Sequence, residues 1–227
     1  MDIVIDDLAH SLVASLGSDP TSGRLLVGIS GFPASGKSTI ARAIAKRVNT
    51  LAGADIAVVV GLDGWHFSRA HLDTMPDPVL AHARRGAHWT FDGNGFVSFV
   101  RAVRDKPHAT CRAPSFDHAL KDPVAEDVEV QPEHRIVLFE GLYTFLDINP
   151  WREAGLLMHE RWYIQVDEDE AARRLVRRHV QSGITPDAAT ALQRAIENDL
   201  PNGRFVREHL LAPTRTITSV MDAGLEI

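Results

Sequence analysis

The chain has 227 residues, of which 44% are hydrophobic and 24% are charged, and its formal net charge is −6. These values suit one globular domain with a full hydrophobic core, and they argue against the basic surface of a nucleic-acid binder. The single cysteine, Cys111, excludes an intrachain disulfide framework, so a reducing cytoplasm is the expected compartment. The N-terminus lacks a secretory signal pattern, and no apolar run approaches the ~20 residues of a membrane helix. We therefore expect neither nucleic acid nor a membrane as a partner.

Short apolar runs alternate with helical patterns along most of the chain. Helices are predicted where apolar residues recur at spacings of three and four: residues 2–16, 38–52 and 170–179. Strands are predicted for five short apolar runs: residues 25–30, 56–60, 135–139, 162–166 and 215–220. This alternation implies βαβ units, and hence an α/β fold with a parallel sheet of about five strands between two layers of helices.

Two stretches, residues 64–92 and 107–132, do not fit this alternation. The first mixes glycine, proline, histidine and tryptophan without a clear period, and the second is similarly irregular. We expect both to be insertions beside the sheet. Because no repeat or long linker divides the chain, a single domain over residues 1–227 is predicted.

Residues 31–38, Gly-Phe-Pro-Ala-Ser-Gly-Lys-Ser, match the phosphate-binding motif G-x-x-x-x-G-K-[ST]. They stand between a predicted strand and a predicted helix, where backbone N–H groups can surround an anion at the positive end of the helix. Lys37 would neutralise the β- and γ-phosphates of ATP, Ser38 would bind Mg²⁺, and Thr39 could reach the α-phosphate. The predicted nucleotide-binding residues are Gly31, Ala34, Ser35, Gly36, Lys37, Ser38 and Thr39. GTPases, motors and kinases share this loop, so the loop alone does not identify a kinase.

Two acidic residues follow predicted strands. Asp63 comes shortly after the strand 56–60, and Glu140 comes directly after the strand 135–139. Ligands of open parallel sheets bind at the carboxyl ends of the strands, so both acids should lie at the same edge as the phosphate loop. One carboxylate could hold the Mg²⁺ shell, and the other could accept the proton of an attacking hydroxyl. Taken alone, Asp63 and the glycine after it would also fit a plain turn.

Four motifs together resemble the phosphoribulokinase, uridine kinase and pantothenate kinase superfamily: residues 31–38, 63–66 (Asp-Gly-Trp-His), 114–118 (Pro-Ser-Phe-Asp-His) and 139–141 (Phe-Glu-Gly). Longer stretches resemble in particular a branch of bacterial fructose-transport-system kinases, which are labelled fructokinase or nucleoside-kinase-like and have a fungal uridine kinase-like relative: residues 62–73, 114–123 and 197–204. The similarity extends over about residues 24–220.

The resemblance implies a P-loop NTPase fold with a lid over residues 173–204 and an acceptor site formed by the two insertions. It makes Asp63 the catalytic base and Glu140 the acid that positions Mg²⁺. The acceptor-site residues that it implies are His66, Phe116, Asp117 and His118. Phe116 stands where uridine kinases have tyrosine, and no His-Ser-Arg follows it, which weakens the case for a nucleoside acceptor. The resemblance also allows for a homodimer.

Arginines are concentrated in the predicted helix 170–179. Arg174 and Arg178 are four residues apart on one helical face, where their guanidinium groups could converge on a transferring phosphoryl group. The alternative is a solvated basic face paired with the acidic residues 168–170 at the start of the helix. We favour Arg174 and Arg178 as catalytic lid residues.

The predicted function is that of an ATP- and Mg²⁺-dependent kinase. Its acceptor would be an alcohol group of a small metabolite: a sugar such as fructose, a nucleoside such as uridine, or a pantothenate-like alcohol. Two alternatives stay open, a regulatory P-loop NTPase and a non-catalytic nucleotide-binding module. The sequence contains neither the Asn-Lys-x-Asp guanine-binding motif of GTPases nor the Leu-Ser-Gly-Gly-Gln loop of transporter ATPases.

Overall fold

The centre of the protein is a parallel sheet of five strands. The computed structural model describes residues 1–17, 23–117 and 119–219. Within them the strands are β1 (Leu25–Gly31), β2 (Ala57–Gly61), β3 (Cys111–Asp117), β4 (Asp122–Val130), β5 (Ile136–Glu140), β6 (Glu160–Gln165) and β7 (Arg215–Thr218). The central sheet has the order β2-β5-β1-β6-β7, and its neighbouring strands are parallel. The predicted fold class, an α/β fold with about five parallel strands, is therefore confirmed.

Helices connect these strands and cover the sheet. They are α1 (Asp2–Ser15), α2 (Lys37–Ala52), α3 (Arg69–Leu72), α4 (Pro78–Ala83), α5 (Gly93–Asp105), α6 (Trp151–Leu157), α7 (Glu168–Gln181), α8 (Ala188–Arg194) and α9 (Leu200–Glu208). Short 3-10 helices lie at Leu62–Trp65 and His88–Thr90, and a π-helical turn, Ala195–Asp199, joins α8 to α9. Among the described residues, no helix has the length and apolar character that crossing a bilayer requires.

Each face of the sheet supports its own hydrophobic core. In β5, Ile136 and Leu138 belong to the core that α1 and α2 cover, whereas Val137 and Phe139 belong to the core that α5 and α6 cover. This division follows from the alternation of side chains along a strand. A strand buried on both faces must be apolar at every position, which explains the continuous apolar run in the sequence.

The expectation of irregular structure over residues 107–132 is wrong for most of this stretch. β3 and β4 form an antiparallel hairpin, with a register shift between Ala113 and Ser115. Pro114 and Pro123 lie within the two strands, and such residues are tolerated because a two-stranded sheet has only edge strands. The prolines and the register shift hide the alternation from a reading of the sequence.

The hairpin packs against the insertion that follows β2. Arg85 donates hydrogen bonds to Oδ1 of Asp122 at 3.0 Å and to the Phe67 carbonyl at 2.8 Å. Gly64 lies so close to the backbone of Pro114 that a side chain at this position would overlap it. These contacts hold the hairpin against the insertion, and the insertion begins at the carboxyl end of β2.

Candidate active site

The phosphate loop connects β1 to α2 at the carboxyl edge of the sheet. Gly36 has a φ of 86°, a conformation that favours glycine, and it immediately precedes the first residue of α2. The Phe32 carbonyl accepts hydrogen bonds from the backbone N–H of Ser35 at 3.0 Å and from Nζ of Lys37 at 3.4 Å. This carbonyl therefore accepts hydrogen bonds from two groups that would donate to phosphate when a nucleotide is bound.

The other predicted residues of the loop take different positions. The side chain of Ser35 is fully buried, and within the described residues its Oγ has no hydrogen-bond partner. Ala34 has a φ of 59°, so the loop also uses the left-handed region at a residue that is not glycine. Gly31 ends β1 and is buried, while Thr39 lies in the first turn of α2 and is partly exposed.

Glu140 lies at the end of β5, between the two strands that carry the other predicted groups. It is in register with Ile29 of β1 on one side and with Gly61 of β2 on the other. Ser38 Oγ donates a hydrogen bond to Oε2 of Glu140 at 3.0 Å. Hydroxyl and carboxylate oxygens are ligands that Mg²⁺ accepts, so these two residues fit a magnesium site.

The electrostatics of Glu140 point to the same conclusion. Burial raises the pKa of its carboxyl group, the negative charge of Asp63 raises it further, and the positive charge of Lys37 acts in the opposite direction. Burial and the charge of Asp63 outweigh the charge of Lys37, so the ionised form of Glu140 is disfavoured. A bound divalent cation would remove this penalty.

Lys37, Asp63 and Glu140 lie within electrostatic range of one another. Burial lowers the pKa of Lys37, the charges of Glu140 and Asp63 oppose this effect, and the charge of Arg178 adds to it. Asp63 lies in the 3-10 helix directly after β2, with 58% of its side chain exposed. The structure thus brings a lysine, two carboxylates and an arginine together at one edge of the sheet.

The variant Glu140→Gln should raise the melting temperature of the ligand-free protein near neutral pH. Because the pKa of this carboxyl group is higher in the folded protein than in the unfolded chain, its ionised form destabilises the fold. That destabilisation is absent below the ordinary pKa near 4.5 and grows as the pH rises. The difference in melting temperature between the variant and the wild type should therefore shrink as the pH falls toward 4.5.

The same variant should lose the Mg²⁺-dependent part of the stabilisation by ATP, because it lacks a carboxylate ligand. Thermal unfolding with ATP, in the presence and absence of Mg²⁺, measures both effects. Glu133→Gln changes an exposed residue before the same strand and serves as the matched control. A lower melting temperature for Glu140→Gln in the ligand-free state would contradict the electrostatic assignment.

His66 and Phe116 lie beside Asp63. Nδ1 of His66 is 2.9 Å from the backbone carbonyl oxygen of Asp63 and 4.0 Å from its Oδ1. The imidazole packs between Phe91, at a centroid distance of 3.9 Å, and Phe116, at 4.9 Å. An aromatic wall therefore stands next to the candidate base. Contact of this wall with an acceptor stays a prediction.

Asp117 and His118 are less directly placed. Oδ1 of Asp117 accepts hydrogen bonds from the backbone N–H groups of Ala119, at 2.7 Å, and Leu120, at 3.0 Å. This carboxylate therefore caps the turn between β3 and β4. His118 lies outside the described residues. The acceptor-binding role of both residues stays a prediction.

One of the two favoured arginines of α7, Arg174, contacts the phosphate loop. Its Nε also donates to Oε1 of Glu170 at 2.8 Å, which is the pairing with the acidic start of the helix that the alternative predicted. Arg174 donates through Nη1 to Oγ of Ser219, at 2.9 Å, and to the carbonyl of Ala34, at 3.5 Å. Arg178, one helical turn later, acts electrostatically on Lys37. No motif assigns a role to Ser219, which follows β7 and meets the loop only in the folded protein. The segment from α7 to α9 thus lies over the loop, as a lid would.

Further polar residues at this edge were missed or only weakly indicated by the sequence. Nη2 of Arg84 donates to Oδ1 of Asn202 at 3.2 Å, and the buried hydroxyl group of Tyr143 donates to the Gly86 carbonyl at 2.6 Å. Nδ2 of Asn198 donates to the carbonyl of Arg85 at 3.3 Å. The contacts of Asn198 and Asn202 join the insertion after β2 to the segment from α7 to α9, and the contact of Tyr143 joins it to the segment after β5. No periodicity or spacing in the sequence indicates such contacts between distant segments.

The phosphate loop after β1, the acidic residue at the end of the neighbouring strand and the lid of arginine-bearing helices define a P-loop kinase fold. No family model matches the chain. The chain is, however, similar in sequence to individual kinases. A protein of Schizosaccharomyces pombe named "Putative uridine kinase C227.14" is 40% identical over 190 residues, which cover 84% of this chain and 81% of that protein. An "ATP-dependent kinase-like protein" of Aspergillus versicolor is 49% identical over 144 residues, which cover 62% of this chain and 84% of that protein.

A solved structure supports the same assignment. The "putative fructose transport system kinase" from Silicibacter sp. TM1040 is 31% identical, has a TM-score of 0.82, and is matched over 94% of this chain and 98% of that chain. The chain therefore belongs to the family of ATP-dependent P-loop kinases that includes these proteins. The predicted relationship to uridine kinase-like proteins and to fructose-transport-system kinases is confirmed.

Proposed function

We propose that the protein transfers the γ-phosphoryl group of ATP to an alcohol group of a small metabolite, with Mg²⁺. The observation that carries this proposal is the meeting of Lys37, Asp63 and Glu140 at the carboxyl edge of three adjacent strands. Lys37 comes from the loop after β1, Asp63 follows β2, and Glu140 ends β5 between them. A regulatory NTPase needs no exposed carboxylate beside its phosphate loop, whereas a kinase needs a base for the acceptor hydroxyl.

Each residue has a distinct part in the proposed reaction. Asp63 accepts the proton of the acceptor hydroxyl group as its oxygen attacks the γ-phosphorus and the bond to the β-phosphate breaks. Lys37, Arg174 and Arg178 stabilise the negative charge on the oxygens of the transferring group. Ser38 and Glu140 would hold Mg²⁺, which supplies charge neutralisation of the β- and γ-phosphates when bound.

The acceptor side is the aromatic wall of His66, Phe91 and Phe116. The wall stands next to Asp63, and rings of this kind can pack against the apolar face of a sugar or a base. The names of two relatives suggest acceptors to test first, which are fructose and uridine. The lid segment over the loop would exclude water from the transfer and so suppress hydrolysis.

A screen of acceptors with a coupled assay for ADP tests this function. We expect ADP release to depend on one class of alcohol, without matching release of inorganic phosphate. The screen should contain fructose, uridine and pantothenate, and the product should be identified by mass. Hydrolysis that no alcohol stimulates would favour a regulatory NTPase, and tight ATP binding without any turnover would favour a nucleotide-binding module.

A further inference from the structure

Arg84 lies near the candidate site and has no ionic partner among residues 1–17, 23–117 and 119–219. It caps α4 at its C-terminal end, in the same insertion that carries His66. Its guanidinium group makes one hydrogen bond, to the neutral amide of Asn202, and its buried Nε has no partner among the described residues. The ion pairs found in that part of the chain include none for Arg84.

The next residue, Arg85, shows what a structural arginine looks like here. Arg85 pairs with Asp122, donates to two backbone carbonyl groups and lies over the ring of Phe116. Arg85 thus fastens the two insertions together, and Arg84 contributes nothing comparable. Nε of Arg85 is also buried without a partner among the described residues, so the two arginines differ in their counter-charge and not in this N–H. A partly buried guanidinium group without a counter-charge is costly unless a ligand supplies one.

Arg84 lies where the insertion that carries His66 meets the segment from α8 to α9, within electrostatic range of the site. The hydroxyl group of Tyr143 donates to the carbonyl of Gly86, two residues after this arginine. The pKa of Tyr143 is raised mainly by burial; Arg84 lowers it, and Asp63 and Asp199 raise it. Asp63 and Arg84 therefore both lie within electrostatic range of the same phenol. Asn202, the partner of Arg84, precedes Gly203, which lies directly against the Phe32 ring of the phosphate loop.

A cavity of about 240 Å³ opens beside Arg84, between α4 and the lid. A second guanidinium group, that of Arg194, lines the cavity, together with Thr190, Gln193, Glu197 and Asn198. The carboxylate of Glu197 bonds the amide of Gln193 at 2.9 Å rather than either arginine. The cavity is therefore lined by two guanidinium groups and one carboxylate, which leaves an excess of positive charge.

The distribution of charge around the site indicates which kind of acceptor would bind there. The phosphates of ATP already have Lys37, Arg174 and Arg178 at the phosphate loop. Asp63 and Glu140 would repel a negatively charged acceptor unless a cation held its far end. From this arrangement we infer that the acceptor is an anionic alcohol, a compound with both a free hydroxyl group and a carboxylate or phosphate, and that Arg84 binds its anionic group. The inference rests on the proposed kinase function and names the substrate class.

Matched acceptors test the inference. Glycerol, glycerate and glycerol 3-phosphate form one series, and fructose and fructose 6-phosphate form another; the carboxylate and phosphate members distinguish the two kinds of anion. We expect anionic members to exceed neutral ones by at least about 10-fold in kcat/KM. Arg84→Gln should lower kcat/KM for the preferred anionic acceptor about 10- to 100-fold and leave the KM for ATP unchanged. For Arg84→Lys, kcat/KM should lie between the values of the wild type and of Arg84→Gln, because lysine keeps the charge and loses the forked donors.

Arg101→Gln is the control, since Arg101 is exposed and pairs with Glu153 away from the site. The melting temperature of each variant without ligand shows whether it folds. If Arg84→Gln does not fold, Arg84→Lys is compared with the wild type instead. Equal use of neutral and anionic alcohols, or a rise in the KM for ATP in Arg84→Gln, would overturn the inference while leaving the kinase function intact.

A binding measurement separates the two proposals if no alcohol is turned over. With a non-hydrolysable ATP analogue filling the phosphate loop, inorganic phosphate should raise the melting temperature of the wild type and not that of Arg84→Gln. That result would retain the anion site although the kinase function had failed. Equal stabilisation of both proteins by phosphate would reject the anion site.

Discussion

Lys37→Ala is expected to lower kcat by about 10²–10³-fold and to weaken ATP binding as well. The ammonium group of Lys37 lies over the phosphate loop, bonded to the Phe32 carbonyl and within range of Glu140 and Asp63. Its removal takes away the fixed positive charge that both the bound nucleotide and the transition state require. It also removes the charge that opposes the raised pKa of Glu140, so the variant should need more Mg²⁺.

Two measurements check this expectation. One is ADP release with the best acceptor, and the other is calorimetric titration with ATP over a range of Mg²⁺ concentrations. Lys46→Ala provides the matched control, because Lys46 is exposed on the same helix, α2. If Lys37→Ala bound ATP and turned over as the wild type does, the assignment of the loop as the ATP site would be wrong.

Asp63→Asn should lower kcat by about 10²–10⁴-fold while ATP affinity stays near that of the wild type. The substitution keeps the size of the side chain and removes its capacity to take a proton. Asp63 lies after β2, on the insertion side of the site, and its side chain is largely exposed to the space where an acceptor would enter. The nucleotide, by contrast, would be held by the loop after β1.

This contrast gives the two variants different signatures. Lys37→Ala should change both kcat and ATP affinity, whereas Asp63→Asn should change kcat alone. Asp127→Asn is a suitable control, because Asp127 is exposed on β4. Wild-type turnover by Asp63→Asn with the preferred acceptor would remove Asp63 from the role of base.

Much of the fold was predictable because its determinants are local. The strand β5 is apolar at every position, and the motif of residues 31–38 contains both the glycine that turns the chain and the first residues of α2. The hairpin of β3 and β4 was not predictable in the same way. Its prolines are acceptable only because each strand has a single partner, and pairing is a property of the folded chain.

The sequence by itself determined the fold class, the phosphate loop and the arrival of Asp63 and Glu140 at one edge of the sheet. These follow from short-range periodicity and from the rule that parallel strands end at a common edge. Only the tertiary structure decided that Arg84 meets Asn202 without an ionic partner and that Arg174 reaches the loop beside Ser219. Those pairs join segments far apart in the chain, and their geometry depends on how the helices pack, which no local pattern encodes.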